Sequence, residues 1–224
     1  MPGGDVPASP RRPHLIPALL FGGAFNPPTV AHIRLAEYAM KNTGREKVIF
    51  VPTKNSYISD TQGKEFAFSD EDRLAMLDRI AADHPWMVVS RYEIEAAQQP
   101  RTYETMCHYR DLGYQVSLLF GSDKLPELET VWLHVEDICR EFGIICMKRS
   151  DDHPEELLEN DPYLSGLKDG ITILETPDDT KDVSSTQVRR LLARMNEDYT
   201  ALKTQVPEEL HRMMLGYLDR GELK

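Results

Sequence analysis

The sequence predicts an α/β protein, a doubly wound parallel sheet with helices on both faces. Three observations carry that prediction. Short apolar runs alternate with segments whose apolar residues recur at helical spacing. The run from Lys47 to Pro52 is continuously apolar after its first residue, as in a strand buried on both faces. Two other runs end in glycine turns, at Gly22-Gly23 and at Gly121-Ser122-Asp123. Ligands of parallel sheets bind beyond such carboxyl ends, so the two turns are expected to share a crevice.

Each element has its own justification. Residues 1–17 hold Pro2, Pro7, Pro10, Pro13 and Pro17 with little apolar content, which reads as a disordered tail. Residues 18–224 are expected to form a single domain, with a C-terminal helical part from about 183. Ala18 to Phe21 is the first strand. Ala31 to Asn42 is a helix, with Ile33, Leu35, Ala36 and Met40 on or near one face. Lys47 to Pro52 is the second strand. Ser69 to Asp83 is a helix: Ser69 suits the N-cap, Asp72 lies in a box-like position, and Leu74, Leu77 and Ile80 follow at helical spacing. Trp86 to Ser90 is a strand, and Thr102 to Leu112 is a helix closed by Gly113 as its C-cap. Gln115 to Phe120 is a strand, Val131 to Glu141 a helix, Gly143 to Lys148 a strand and Ile171 to Glu175 a short strand. Ser185 to Arg194 and Glu208 to Arg220 are helices. The acidic stretch from Ser150 to Gly170 reads as a surface insertion. Strands separated by helices imply parallel pairing through right-handed crossovers.

Composition bounds the function. The 224 residues are 41% hydrophobic, enough to build a core, and no apolar run approaches the length of a membrane span. No membrane partner is expected. The net charge of −11 argues against a nucleic-acid duplex, whose binders need a basic face. A few clustered cations still suffice for a nucleotide. Cys107, Cys139 and Cys146 are odd in number and lack metal spacing; they read as reduced thiols in a cytoplasmic protein, with Cys146 in a buried strand. Arg11 and Arg12 precede no long apolar stretch, so a secretory signal is not expected. Self-association of the chain is left open.

Two segments carry chemistry. In the first, the apolar run Leu19-Leu20-Phe21 stops at Gly22-Gly23, turns through Ala24-Phe25-Asn26-Pro27-Pro28, and reaches Thr29 and His32 where a helix begins. The amide groups at a helix N-terminus lack backbone partners and attract anions. A glycine there keeps a Cβ out of the phosphate's way. Taken alone, the segment is equally a plain turn with a surface histidine. In the second, Val183-Ser184-Ser185-Thr186-Gln187-Val188-Arg189-Arg190 puts hydroxyls just before a helix and a guanidinium one turn in. Capping explains the hydroxyls alone; with Arg189 they make a triphosphate clamp. Arg190 reads as a solvated charge.

The pair of motifs resembles a known superfamily. Gly22 to His32 is similar to the (H/T)xGH signature of the nucleotidyltransferase α/β-phosphodiesterase superfamily, and Val183 to Arg189 to its companion ISSTxxR signature. Within it, the chain resembles the nicotinamide/nicotinate mononucleotide adenylyltransferases from about residue 18 to about residue 220. Intermediate segments fit in order, among them Val48-Ile49-Phe50-Val51-Pro52, Arg73-Leu74-Ala75-Met76-Leu77, Tyr103-Glu104-Thr105-Met106 and Leu118 to Asp123. Ala31 stands where the motif has Gly, and Arg101 where bacterial members often carry an aromatic.

The resemblance implies a Rossmann-like domain that moves AMP from ATP to nicotinamide or nicotinate mononucleotide, giving NAD or its deamido form plus pyrophosphate. It implies His32, Thr29 and Arg189 as catalytic, with His32 and Thr29 on phosphates and Arg189 on the β/γ-phosphates. Gly22, Gly23, Ala24, Phe25 and Gly121 would line the nucleotide, and Ser184, Ser185 and Thr186 would donate to it. Asp123 would bind a ribose, or else cap a turn. Lys54 would reach the phosphates, or else lie solvated in its loop. Thr102 and Trp132 would bind the pyridine, or else pack at a helix start and in a core. Mg2+ is implied as the companion of ATP, with no all-protein metal site. The competing readings are another superfamily member, of pantetheine-phosphate adenylyltransferase or cytidylyltransferase type, and a nucleotide-binding regulator without catalysis.

Overall fold

A computed structural model describes residues 15–56, 68–149, 152–177, 183–193 and 199–219. Among them the strands are β1 (Ile16–Gly23), β2 (Lys47–Pro52), β3 (Met87–Val89), β4 (Tyr114–Gly121), β5 (Ile144–Lys148) and β6 (Ile171–Glu175). The helices are α1 (Val30–Asn42), α2 (Asp70–Ala81), α3 (Tyr92–Glu95), α4 (Thr102–Asp111), α5 (Val135–Glu141), α6 (Pro154–Asn160), α7 (Pro162–Ser165), α8 (Ser185–Ala193), α9 (Tyr199–Gln205) and α10 (His211–Asp219).

The strands form one six-stranded sheet in the order β3-β2-β1-β4-β5-β6. Every pairing is parallel. The chain starts at the centre, winds outward through β2 and β3, returns to β4 beside β1, and winds outward the other way. The direction reverses between β1 and β4, whose registers pair Leu20 with Leu118 and Phe21 with Leu119. Crevices open at such reversals because successive connections leave on opposite faces. Gly22-Gly23 and Gly121 sit at the carboxyl ends of these two strands.

Strand residues alternate between two cores. Leu19, Val48 and Phe50 face one core with α1, α2, α8 and α10; Leu20, Ile49 and Val51 face the other with α4, α5, α6 and α7. Both faces are covered, which is why β2 reads as unbroken apolar sequence rather than alternating. Phe50 is fully buried, so its truncation to Ala would cost about 3–5 kcal/mol.

Most expected elements stand within two residues of their observed ends. Ser69 caps α2 by accepting the Asp72 amide at 3.0 Å. Gly113 closes α4 with φ +93, a conformation L side chains rarely adopt. β1 starts at Ile16, inside the stretch expected as a tail; the rest of that tail, 1–14, lies outside the described residues.

Three expectations need correction. The helix expected from Val131 begins only at Val135, because its N-cap His134 is left-handed with φ 61; Val131 and Leu133 lie exposed before it. The helix expected from Glu208 is broken into a 3₁₀ turn, Glu208–Leu210, and α10, since the Leu210 amide bonds back to the Pro207 carbonyl at 2.9 Å. The acidic stretch before β6 is not mere surface. Its described part holds α6 and α7, and Leu158, Leu164 and Leu167 are buried in the second core. The leucines anchor it in the core, and Asp161 caps α7 by accepting the Tyr163 and Leu164 amides, both at 2.9 Å.

Candidate active site

A cleft of about 910 Å3 opens over the carboxyl ends of β1 and β4. Gly22, Gly23, Ala24, Phe25, Thr29 and His32 line one side. Gly121 and Asp123 line it from the turn after β4, and Ser184, Ser185, Thr186 and Arg189 from the start of α8. Side chains that are remote in sequence therefore meet on one surface.

The first wall is a turn held from several sides. A Cβ at Gly23 would lie 3.3 Å from the Phe25 ring, a tight contact that the ring would have to yield to. Phe25 is buried at a positive φ of 43, an unusual conformation for a residue with a Cβ. Its ring packs edge-on to Phe21 and His32 at 5.4 and 5.2 Å. Gly22 differs: a Cβ there would meet nothing within 4 Å, so the backbone faces the cleft unscreened. Arg73, fully buried in α2, donates to the carbonyls of Ala24 and Thr53, both at 2.6 Å, and so pins the turns after β1 and β2 together. Burial lowers its guanidinium's pKa, and the Asp70 carboxylate beside it works the other way.

The second motif is bonded to the first across the sequence. Ser185 Oγ donates to the Pro27 carbonyl at 2.9 Å over a separation of 158 residues. Arg189 Nη1 donates to the Asn26 carbonyl at 2.8 Å, and Nη2 to Thr186 Oγ1 at 3.0 Å. Ser184 caps α8 by accepting the Gln187 amide at 3.2 Å. Arg189 is half-buried; desolvation, and then the charge of Arg190, pull its pKa below the ordinary value. A guanidinium carries more N–H donors than these two bonds use, and an anion would relieve its desolvation.

His32 sits at the centre of the first wall. The Thr29 amide donates to its Nδ1 at 3.0 Å, Thr29 Oγ1 lies 2.7 Å from the same nitrogen, and the His32 amide donates back to Oγ1 at 3.4 Å. Thr29 and His32 thus form a reciprocal capping box at the start of α1. Burial first, and the nearby Arg149 charge second, lower the imidazole pKa to about 4.

Sequence reasoning missed Arg149. It lines the cleft from the end of β5, 3.4 Å from the Asp123 carboxylate. A cation directly after a strand's carboxyl end was the available signal. Asp152 and Lys124 also line the cleft. Arg73 was legible only as part of a family-like segment, not as a buried clamp. Ala31 lines the cleft and is nearly buried, so its methyl is accommodated.

Lys54, Thr102 and Trp132 are not among the described residues lining this cleft. The Lys54 ammonium donates to the Ala96 carbonyl and its amide to Gln99 Oε1 at 3.1 Å. Thr102 is half-buried at the first turn of α4, after Arg101, whose amide donates to Glu104 Oε2 at 2.8 Å. Trp132 packs on Phe120 with centroids 5.8 Å apart, next to Val131, which does line the cleft.

Two helix N-termini, a glycine-exposed backbone and the cations Arg149 and Arg189 all favour negative charge in this cleft. The sequence profile of the cytidylyltransferase-like family matches residues 20–191. A probable nicotinate-nucleotide adenylyltransferase of Neisseria meningitidis serogroup B is 32% identical over 179 residues, covering 78% of this chain and 86% of the relative. A protein of the same description from Caldicellulosiruptor bescii is 27% identical over 193 residues, covering 86% of this chain and 95% of the relative. Among solved structures, the nicotinic acid mononucleotide adenylyltransferase of Plasmodium falciparum complexed with NaAD matches with a TM-score of 0.68 at 17% identity, over 92% of this chain and 96% of that one.

Proposed function

The chain belongs to the cytidylyltransferase-like family, and we propose that within it this protein is an adenylyltransferase of NAD biosynthesis, moving AMP from ATP to nicotinate or nicotinamide mononucleotide. One observation carries the reading. The two phosphate-type motifs are locked together, Ser185 to Pro27 and Arg189 to Asn26, on the rim of one cleft. The relatives' activity is the second support.

In this reaction a phosphate oxygen of the mononucleotide attacks the α-phosphorus of ATP. A P–O bond forms there, the bond to the bridging oxygen breaks, and pyrophosphate leaves with the electron pair. No covalent enzyme intermediate is needed; the protein aligns the phosphates and neutralises growing charge. In our reading the Gly22 backbone lets the triphosphate approach, and His32 donates to it. Arg189 and the hydroxyls of Ser184, Ser185 and Thr186 hold the β/γ-phosphates, with Arg149 a further cation. Asp123 accepts from a ribose. Thr102 and Trp132 form the pyridine side. Mg2+ enters as part of the nucleotide substrate, and the carboxylates of Asp123 and Asp152 on the cleft wall are hard oxygen groups suited to its water shell. We place the reaction in the cytoplasm, which suits the free thiols of Cys107, Cys139 and Cys146.

The test is pyrophosphate release from ATP and Mg2+, with the two mononucleotides offered separately. Release with either supports the reading, and the ratio of kcat/KM sets the pyridine preference. Silence with both, from folded protein that binds ATP, overturns it.

A further inference from the structure

The structure assigns Thr29 as a positioning residue: it locks His32 as a neutral imidazole with its proton on Nε2, so that His32 serves the reaction as an N–H donor that keeps its proton. The inference rests on the adenylyl-transfer reading for its catalytic consequence, and on geometry alone for the state of the ring.

The geometry starts from Nδ1. A backbone amide can only donate, so the nitrogen it meets at 3.0 Å must offer a lone pair. Protonating Nδ1 would set N–H against N–H. The neutral ring must then carry its hydrogen on Nε2. Thr29 Oγ1, 2.7 Å from Nδ1, faces the same lone pair and donates its hydroxyl hydrogen there. Thr29 is 0% exposed, so its hydroxyl is committed to this contact rather than presented to a ligand. This reverses the arrangement of a base histidine, where Nδ1–H donates to a carboxylate and the ring is helped to take a proton. Here two donors crowd Nδ1 and the ring is discouraged from taking one.

The surroundings act in the same direction. Phe21 and Phe25 pack against the imidazole, with centroids 6.2 and 5.2 Å away, and offer it no counter-charge. Around the cleft, Arg149 follows β5, Arg189 comes from α8, and Lys124, Asp123 and Glu127 come from the turn after β4, with Asp152 beyond β5. Arg149 is the charge that acts on the ring, and it opposes a second positive charge. A neutral Nε2–H still stabilises phosphate charge as a preoriented dipole. Because no proton is transferred, the acid limb of the rate need not follow an ordinary histidine.

The experiment is a titration of the full chain with ¹⁵N-labelled histidine, followed by ring-nitrogen NMR, with His32→Gln to assign the signal. The expected result is an unprotonated Nδ1 and a protonated Nε2 throughout the range where an ordinary histidine charges. Thr29→Val removes the hydroxyl and is expected to mix the tautomers and move the titration midpoint toward 6.5. It is also expected to lower kcat by about tenfold or more with KM for ATP within about twofold. Thr29→Ser, which restores the hydroxyl, is expected to restore both. A wild-type His32 that charges near 6.5, or that carries its proton on Nδ1, overturns the proposal even if Thr29→Val fails to fold. So does a folded Thr29→Val with wild-type tautomer and kcat. The ring titration needs no acceptor substrate, so its failure is distinct from failure of the transferase assay.

Discussion

Two walls of this fold put their polar side chains to different ends. On the phosphate wall, side chains hold backbone carbonyls: Arg73 takes Ala24 and Thr53, Ser185 takes Pro27, and Arg189 takes Asn26. With its carbonyls held, this wall leaves glycine backbone, helix N-termini and cations to the cleft. On the wall from Lys54 to Thr105, a buried carboxylate gathers side-chain donors, and the network is tied to the backbone at Lys54 and Ala96. Thr105 Oγ1 donates to Glu93 Oε1 at 2.8 Å, Gln99 Nε2 donates to the other carboxylate oxygen, and Gln99 Oε1 takes the Lys54 amide. Burial raises the Glu93 pKa against those two hydrogen bonds. A closed network of this kind rigidifies a wall, whereas one that leaves donors on its surface can bind an anion.

The largest way to break the contrast is to remove the central donor of the phosphate wall. His32→Ala is expected to lower kcat by about 10²–10³-fold, as loss of one preoriented donor does elsewhere. ATP binding, read by calorimetry, should persist because Arg189 and α8 remain. Loss of ATP binding with kcat at saturation preserved would make His32 a ground-state ligand and reverse the assignment.

The same residue gives an acid signature. The unfolded histidine titrates near 6.5 and the folded one near 4. Between these values the unfolded chain binds more protons, so stability is complete above the unfolded value and falls as pH drops through the folded one. The loss amounts to at most about 3 kcal/mol. Urea midpoints against pH should show this limb in the wild type and not in His32→Ala. Parallel curves would mean that the ring charges freely in the fold.

Arg189→Ala should act on stability and substrate together, because one guanidinium bridges the motifs. A hydrogen bond from a charged group contributes about 1.5–3 kcal/mol, and KM for ATP should rise by about tenfold or more. Arg189→Lys should recover less than Arg does at a bidentate site. A fall in Tm with unchanged KM would confine Arg189 to scaffolding.

How much of this was legible in the sequence depended on range. The strands, their glycine ends and the caps at Ser69 and Gly113 follow from local chemistry and stand where the sequence puts them, whereas the Thr29–His32 capping box does not appear among those expectations. A shared ligand for the glycine turn and the Ser184 to Arg189 segment is what the family resemblance implies, and the fold brings the two within hydrogen-bond reach. What local patterns did not contain was long-range: Arg149 acting on His32, Arg73 between two turns, and the leucines of α6 and α7 in a core. Each depends on where a strand end or helix lands in the assembled sheet. His134 shows the opposite failure. A helical pattern from Val131 was overridden by one left-handed residue, which no periodicity records.

The smallest expected effect tests the second wall. Lys54 is bonded by its amide to Gln99 and by its ammonium to Ala96, which places it in the closed network. Lys54→Met keeps most of the side-chain volume and removes the donor. Its cost should be about 1 kcal/mol, a fall of about 2–4 °C in Tm for a chain of this size. With ATP and the preferred mononucleotide, kcat/KM should stay within about threefold of wild type, since no transition-state contact is lost. The opposite pattern is equally clear. If kcat/KM for ATP falls by tenfold or more while Tm holds, the ammonium leaves Ala96 during turnover and reaches the triphosphate. The two walls would then exchange partners when substrate binds, and Glu93 and Gln99 would be the residues to vary next.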